Sequence, residues 1–551
     1  MTRDRISLTA RHWSAVVAVW ALGALVFFRS AIASGLDRVI GDSGDARLVA
    51  LLHEHWLEVL RGNQSWRSPN FYHPATDTLG YSDTFLLDEV VYAPLRLLGF
   101  DRYAATQWTI ILLSLIGFIG VYLVCTHLIG APRWQAIGFA YIATFSNCLA
   151  VQASHLQLFA VYWVPWVVLL VAQVFNALSR RVATWWAAAS GAFIGLLITS
   201  TYYIGWFTVF AGSLFGLLTL VQLREQISWR PLRHTIRNVS GRTTAFLGGF
   251  AMPMIPFALI YLPKLHETGG RTFTEVLIGA PSYGDVVNVG ANNFLWGGAL
   301  KAMLTDTTRL YTIEISDAVT PLVLLSVAVC AVLVAVRLRG DRSLRAATAR
   351  SLLTVTIVLT VLPLRVGTFQ LWHAVWRFVP GAQALRAIGR IEIMAAFTAP
   401  FAIAASLVAL AAVRGDRRAR PRQRWLLAAL LVLLSFEQFN TQENGRIDHS
   451  DEMAFIRSVR QPPVACHSFF ILNSPPRLDV EMQIDAMIAA QITGLPTING
   501  YSGDTPPHWY LHPADPDYLD QVRLWIGLHH LERTCSYDRD TRAWDTDPLT
   551  S

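Results

Sequence analysis

The chain is short of charge. Only 15% of its 551 residues are Asp, Glu, Lys or Arg, where a soluble domain carries about 25%. With 53% hydrophobic residues and a mean hydropathy of +0.39, that deficit excludes an ordinary soluble enzyme. Lysine is almost missing: it occurs only as Lys264 and Lys301, so arginine carries nearly all of the positive charge behind the net +7. The basic residues gather on no motif but fall in short bursts between apolar runs, so nucleic acid is rejected as a partner. There is no internal repeat and no low-complexity tract. A zinc-binding helix is missing too. His53 and His55 are two apart and face nearly opposite sides of a helix, whereas the two-histidine zinc motif needs a spacing of four. Both are read as the polar face of an interfacial helix.

What is present in quantity is apolar sequence. Runs of about twenty residues, enough to cross roughly 30 Å of hydrocarbon, recur from end to end. One could be a signal peptide, but the whole series cannot. Candidate spans are 12–32, 104–126, 135–150, 157–177, 184–202, 204–222, 244–263, 319–337, 351–367, 392–412 and 425–440. The connecting loops alternate in character. One set holds Arg3, Arg5 and Arg11, then Arg180 and Arg181, REQISWRPLRHTIRNVSGR, RLRGDRSLRAATAR and RGDRRARPRQR. The positive-inside rule makes these cytoplasmic. The N-terminus is then inside and the C-terminus outside. The expected architecture is an all-α, multi-pass domain over 1–440, with outer loops at 33–103 and 264–318. A small extracytoplasmic α/β domain follows at 441–551, where the composition turns acidic and Pro-rich. Cys466 and Cys535, the only cysteines of that tail, are expected to pair in an oxidising compartment.

Titratable chemistry gathers in the outer segments. GDSGDARLVALLHEHW (41–56) follows the first span, and Leu48, Leu51, Leu52, Trp56, Val59 and Leu60 recur at helical steps. That pattern predicts an amphipathic helix lying in the interface. Asp42 would cap it and Asp45 complement its dipole. Against capping as their whole role, one cap needs one carboxylate, and a second charge at the bilayer surface is costly unless used. Gly41 and Gly44 let the backbone turn sharply there. SPNFYHPATDTLGYSD (68–83) is a turn-rich loop containing Tyr81, with Asp83 read as a cap for the amphipathic segment TFLLDEVVYAPLRLL, whose Asp88 and Glu89 form a solvated face. His155 and Gln157 in HLQLFAVYWVPW, and Tyr202 and Tyr203 in TSTYY, sit at the outer leaflet as belt or cavity wall. In VPGAQALRAIGR, Arg386 and Arg390 are four apart, facing one way on a helix. Their fork geometry suits a phosphate or carboxylate; snorkelling to headgroups is the simpler reading. Lys264, His266, Glu267 and Arg271 stand where span seven leaves the membrane.

GDSGD after the first span, PNFYHPATDTLGYSD, HLQLFAVYWVPW, the TYY turn, SYGDVVNVGANNFLWG (282–297), VPGAQALRAIGR and TINGYSGDTPPHW (497–509) together resemble the bacterial GT-C-type membrane glycosyltransferases and their YfhO-like relatives. The likeness runs over most of the chain, on loose individual motifs. It implies a multi-pass enzyme of the bacterial plasma (inner) membrane, with juxtamembrane helices in the first outer loop. Such an enzyme takes a sugar from a polyprenyl-phosphate carrier, among membrane lipids, and passes it to an extracytoplasmic glycan, lipid or protein. An Asp early in the first loop is the base, which maps onto Asp42 or Asp45 without separating them. Cations hold the lipid phosphate, a role matched by Arg386 and Arg390 and shared with Lys264 and Arg271. His155, Gln157, Tyr202, Tyr203, Tyr81 and Asp83 would line the substrate cavity. The chain lacks the Asp-Glu pair some members carry beside the first span. No cofactor is read from the residues, and the resemblance admits a divalent metal.

The chemistry is coherent on its own. One carboxylate can take the proton of an attacking hydroxyl, and arginines stabilise the charge growing on the departing phosphate. A single base without a carboxylate nucleophile predicts inversion. A flippase or transporter would place its ionisable groups near the midplane, where these runs are nearly free of charge. A non-catalytic YfhO-like accessory protein is the third reading.

Overall fold

In the computed structural model, which describes residues 10–226, 232–303, 306–413, 421–443, 445–472 and 476–549, every candidate span is mainly helical. Among the described residues seven helices are long and apolar enough to cross a membrane: Arg102–Ile129, Leu156–Asn176, Arg180–Ser200, Tyr202–Leu223, Ser240–Thr268, Leu344–Val361 and Ile388–Val413. The shortest has 18 residues, about 27 Å of helix. His12–Phe27 and Pro321–Arg337 are apolar but shorter. The expected span at 135–150 is two pieces, Arg133–Thr144 and Asn147–Val151, because Ser146 caps the second through Leu149 N–H. The last expected span is the 17-residue helix Pro421–Glu437. By length and composition the described residues supply seven such helices, with shorter apolar helices besides. Gly191 and Gly195 let Arg180–Ser200 approach the helix containing Phe246 and Phe250 closely; a Cβ at Gly191 would stand 2.0 Å from Phe246 O.

Of the basic connectors, Arg3, Arg5, Arg230 and residues 414–420 of RGDRRARPRQR lie outside the described residues. Two others meet at one end of the bundle, where Arg342 pairs with Glu225 and Arg350 Nε donates to Gln222 Oε1 at 2.7 Å.

The outer loops and the tail assemble at the other end. Among the described residues there are seven short strands: β1 (Arg38–Ile40), β2 (Arg365–Val366), β3 (Phe369–Gln370), β4 (Gly445–Asp448), β5 (Ser468–Ile471), β6 (Thr534–Asp538) and β7 (Ala543–Asp545). β1 pairs antiparallel with β4, joining the first loop to the start of the tail. β2 and β3 form a hairpin. In the tail β5 runs parallel to β6, and β7 antiparallel to it. Helices His449–Ser458, Asp479–Thr493 and Tyr518–His529 accompany this sheet. Cys466 and Cys535 form a disulfide with Cα atoms 5.6 Å apart.

The helix Asp45–Leu60 departs from expectation. It does not lie on an interface; every residue from Ala46 to Leu57 is buried. Asp479–Thr493 of the tail contributes to its cover through Arg47, whose side chain is 1% exposed. Arg47 bonds Glu452 at 2.9 Å and also pairs with Asp485, and Tyr103 donates to Glu452 at 2.7 Å. The polar residues of this helix face partners rather than water. His53 meets Glu89 at 2.6 Å and His55 meets Gln64 at 2.6 Å. Asp88 is buried as well, accepting from Trp163 Nε1 at 2.8 Å. The solvated face expected of Asp88 and Glu89 is thus an internal polar seam, as burial of ionisable groups demands pairing.

Candidate active site

Residues 41–45 separate the two aspartates by geometry. Gly41 has φ +110°, a left-handed turn. Gly44 does not; instead its missing side chain makes room for Val480 and Tyr501, whose hydroxyl would stand 3.2 Å from a Cβ there. Asp42 Oδ1 accepts the backbone N–H groups of Gly44 (3.0 Å) and Asp45 (2.7 Å), which satisfies the first amide of the helix. Burial, reinforced by the charge of Asp45, holds the Asp42 carboxyl above its ordinary pKa.

Asp45 points elsewhere. Its Oδ2 lies 2.7 Å from His155 Nδ1 and 3.3 Å from Gln157 Nε2; its Oδ1 accepts from Tyr501 OH at 3.0 Å. Two distant segments, residues 155–157 and the tail at Tyr501, therefore converge on one carboxylate. Burial alone would raise its pKa, but the His155 bond and charge, the Gln157 bond and the Arg390 charge bring it below the ordinary value. Asp45 is ionised at neutral pH. His155 reaches Glu314 with its other nitrogen, Nε2 to Oε1 at 3.5 Å. Burial opposes its charge, yet bonds to Asp45 and Glu314 raise it to about 9. Glu314 falls to about 2 despite burial, through His155 and Arg390. The side chains of Asp45 and His155 remain 17% and 18% exposed, so the ion pair is reachable.

Arg390 closes the array. Its guanidinium grips Glu314 at 2.7 and 3.2 Å and lies over the Tyr203 ring, 5.1 Å from the centroid. Arg386 does not share its helix face. Ala387, between them, is not helical (φ −89°, ψ 80°) and Ile388–Arg390 is a separate 3-10 turn, so the expected four-residue stacking is absent. Arg386 is exposed, and its backbone N–H donates to Tyr203 OH at 2.9 Å. Asp83 is a cap, but for another helix: it accepts Tyr202 N–H at 2.8 Å, at the start of Tyr202–Leu223. Burial raises its pKa to about 6. Tyr202 OH donates to Gly381 O at 2.9 Å.

Tyr81, Lys264 and Arg271 form a second group. Lys264 Nζ bonds Glu267 at 2.7 Å and Tyr81 OH at 2.9 Å, and Tyr81 OH donates to Glu267 at 2.6 Å. Arg271 Nη2 donates to Gly503 O at 2.5 Å and lies 3.6 Å from Asp504. Of the four cations expected to meet a phosphate, three are thus committed to internal partners. Glu314 and Tyr501 were not singled out in the sequence. Tyr501 sits within TINGYSGDTPPHW, one of the stretches behind the family resemblance; Glu314 had no signal beyond being an acid in the second loop. Among the described residues no group of three His, Cys, Asp or Glu side chains is placed to hold a metal ion.

No family model matches the sequence, and no curated protein matches it. Solved structures do match in fold. The Archaeoglobus fulgidus oligosaccharyltransferase, tethered with an acceptor peptide containing the NVT sequon, is 12% identical with TM-score 0.50. That match covers 96% of this chain and 69% of the other. The arabinofuranosyltransferase AftD from Mycobacteria is 14% identical, also with TM-score 0.50, over 90% of this chain. This chain spans only 32% of AftD. ArnT from Cupriavidus metallidurans bound to undecaprenyl phosphate is more distant, with 13% identity, 89% and 90% coverage and TM-score 0.42. The fold is that of the polytopic GT-C glycosyltransferases.

Proposed function

We propose that this chain is a YfhO-like GT-C glycosyltransferase, moving a sugar from a polyprenyl-phosphate-linked donor to an extracytoplasmic glycan, lipid or protein, with Asp45 as general base. The observation that carries the reading is the convergence of His155, Gln157 and Tyr501 on one ionised, partly exposed carboxylate. A carboxylate oxygen has two lone pairs, so Oδ1, with Tyr501 as its one protein donor, retains a site for an acceptor hydroxyl. That hydroxyl gives its proton to Oδ1 as its oxygen attacks the anomeric carbon and the phosphate leaves. Asp42 instead spends one oxygen on the turn, which favours Asp45 as the base. With one carboxylate acting as base and none as nucleophile, the reading is direct displacement with inversion.

The cationic side is assigned to Arg386 and Arg390. Arg390 is fixed by Glu314 and contributes a positive field beside Asp45, while the exposed Arg386 is the group that meets the lipid phosphate. Such cations stabilise charge that grows in the transition state. Gathering of the acidic outer loops and tail at one end, with the Arg-rich connectors at the other, supports an outside site and a cytoplasmic N-terminus under the positive-inside rule. Residues 441–551 are read as a domain docked on the transmembrane domain, residues 1–440.

The test is transfer of radiolabelled sugar from polyprenyl phosphate to an envelope extract by purified protein. Asp45→Asn lowers turnover by about 10²–10⁴-fold while the protein stays folded, its melting midpoint falling by no more than the few degrees the His155 pair supplies. Asp42→Asn still accepts both backbone N–H groups and stays near wild type. Near-normal transfer by both variants overturns the base assignment, and no transfer by the wild type overturns the enzyme reading.

A further inference from the structure

A cavity of about 530 Å³ opens where the first outer loop, the end of the helix Ser240–Thr268 and the tail meet. Its size falls in the range of ligand pockets, about 300–1,000 Å³. Thr76, Lys264, Glu267, His508, Trp525 and Leu528 are among its walls. It is separate from the Asp45 cluster but shares a loop with it. Tyr501 bonds Asp45, and Pro506, Pro507 and His508 line the cavity. Five residues of chain span at most about 18 Å, so the backbone at Pro506 lies within that distance of the backbone at Tyr501. The loop is pinned along its length. Tyr72 OH meets Ser502 Oγ at 3.1 Å, Asp504 N–H donates to Tyr81 O at 3.2 Å, and Arg271 holds Gly503 O. His508 sits at the cavity wall with φ +63°, a conformation that costs a non-glycine residue.

The walls carry little net charge. Lys264 is neutralised by Glu267, and its ammonium lies over the Tyr81 ring, 4.4 Å from the centroid. Trp525 is fixed by donating from Nε1 to His73 O at 2.9 Å, and its ring packs 4.1 Å from that of His529. Burial, with His530 adjacent, keeps His529 below its ordinary pKa, so at neutral pH it adds no charge. An anionic ligand would have to break the Lys264–Glu267 pair, and a cationic one would have to displace Lys264. A flat, neutral, hydroxyl-rich ligand faces neither cost and finds aromatic and proline surfaces beside polar groups.

Resting on the glycosyltransferase reading above, we infer that this cavity is the acceptor subsite, that it takes an uncharged oligosaccharide, and that the loop 501–508 sets the distance from the bound chain to the hydroxyl that attacks over Asp45. The ligand is a neutral saccharide rather than a uronate-bearing glycan.

The test uses the full chain in nanodiscs and an array of neutral tetrasaccharides (glucose, mannose, galactose or arabinose units) with their uronic-acid counterparts. The inference expects binding confined to the neutral arm. It expects Thr76→Trp and Leu528→Trp, two fillings from exposed positions, each to weaken that binding at least tenfold. In transfer assays the same variants raise the acceptor KM while the donor KM is unchanged, whereas Asp45→Asn loses transfer and keeps saccharide binding. No binding on the array, preference for uronates, or binding unaffected by both fillings overturns the inference. If wild-type transfer is normal and the acceptor KM is indifferent to both fillings, the cavity assignment fails alone. If no sugar is transferred while neutral saccharides bind the cavity, the enzyme reading fails instead.

Discussion

The Asp45–His155 pair ties stability to alkaline pH in a way that can be measured. His155 moves from an ordinary 6.5 to about 9, with burial opposing the charge and Asp45 and Glu314 favouring it. A group whose folded pKa is raised contributes stability that is fully present below its unfolded pKa and lost as pH rises through the folded one. The window is therefore about pH 6.5 to about 9. Two and a half units at 1.36 kcal/mol each give about 3 kcal/mol, shared among His155, Asp45 and Glu314. At about 2 °C per kcal/mol, that is a fall of about 6 °C in melting midpoint. The assay is intrinsic-fluorescence melting in nanodiscs from about pH 6 to about pH 10, for wild type and His155→Gln. Glutamine can still donate to Asp45 but does not titrate, so the wild-type curve falls relative to the variant across the window. Parallel curves would refute the claim that His155 is held as a cation between two carboxylates.

Reduction of Cys466–Cys535, or Cys466→Ser, reopens a loop of 69 residues and costs about 4 kcal/mol in the chain-entropy model. Limited proteolysis should then cut the tail sooner under reducing conditions, and an unchanged cleavage rate would count against the estimate. Arg47→Ala leaves buried Glu452 without its cation and costs about 3–5 kcal/mol. Hydrogen exchange should rise in both Asp45–Leu60 and residues 449–493; a rise in only one would mean they are not coupled through Arg47.

The membrane-bound helical fold was legible because a bilayer imposes length and apolarity on each crossing separately. Where a span breaks was not, because a 16-residue apolar run such as 135–150 reads the same whether continuous or broken at Ser146. At the site, the functional pull of GDSGD, His155 and Gln157 was visible as polar chemistry where a membrane chain has little reason for it. Their division of labour was not: Asp42 and Asp45 differ only in which partners reach them, and those partners are distant. Tyr501 is 456 residues from Asp45, and Asp83 caps a helix whose first residue is 119 positions away. Local periodicity sees neither. The Arg386–Arg390 spacing misled for a related reason, since a four-residue interval implies a shared face only if the backbone between is helical, and Ala387 is not helical (φ −89°, ψ 80°).

The strand pair β1–β4 and the Tyr501 bond have a consequence for how the protein comes into being. At about 5–20 residues per second, the 456 residues between Asp45 and Tyr501 take about 20–90 s to synthesise. For most of that interval the helix Asp45–Leu60 exists without β4, Glu452 or Asp485, and Arg47 has no acid from the tail to meet. The nascent chain therefore passes through a stage in which its first helices exist but the Asp45 carboxylate has only part of its partners. Assembly around Asp45 is timed by arrival of the tail, and a ribosome stalled before it would leave a helical bundle in which Arg47 and Asp45 lack their tail partners.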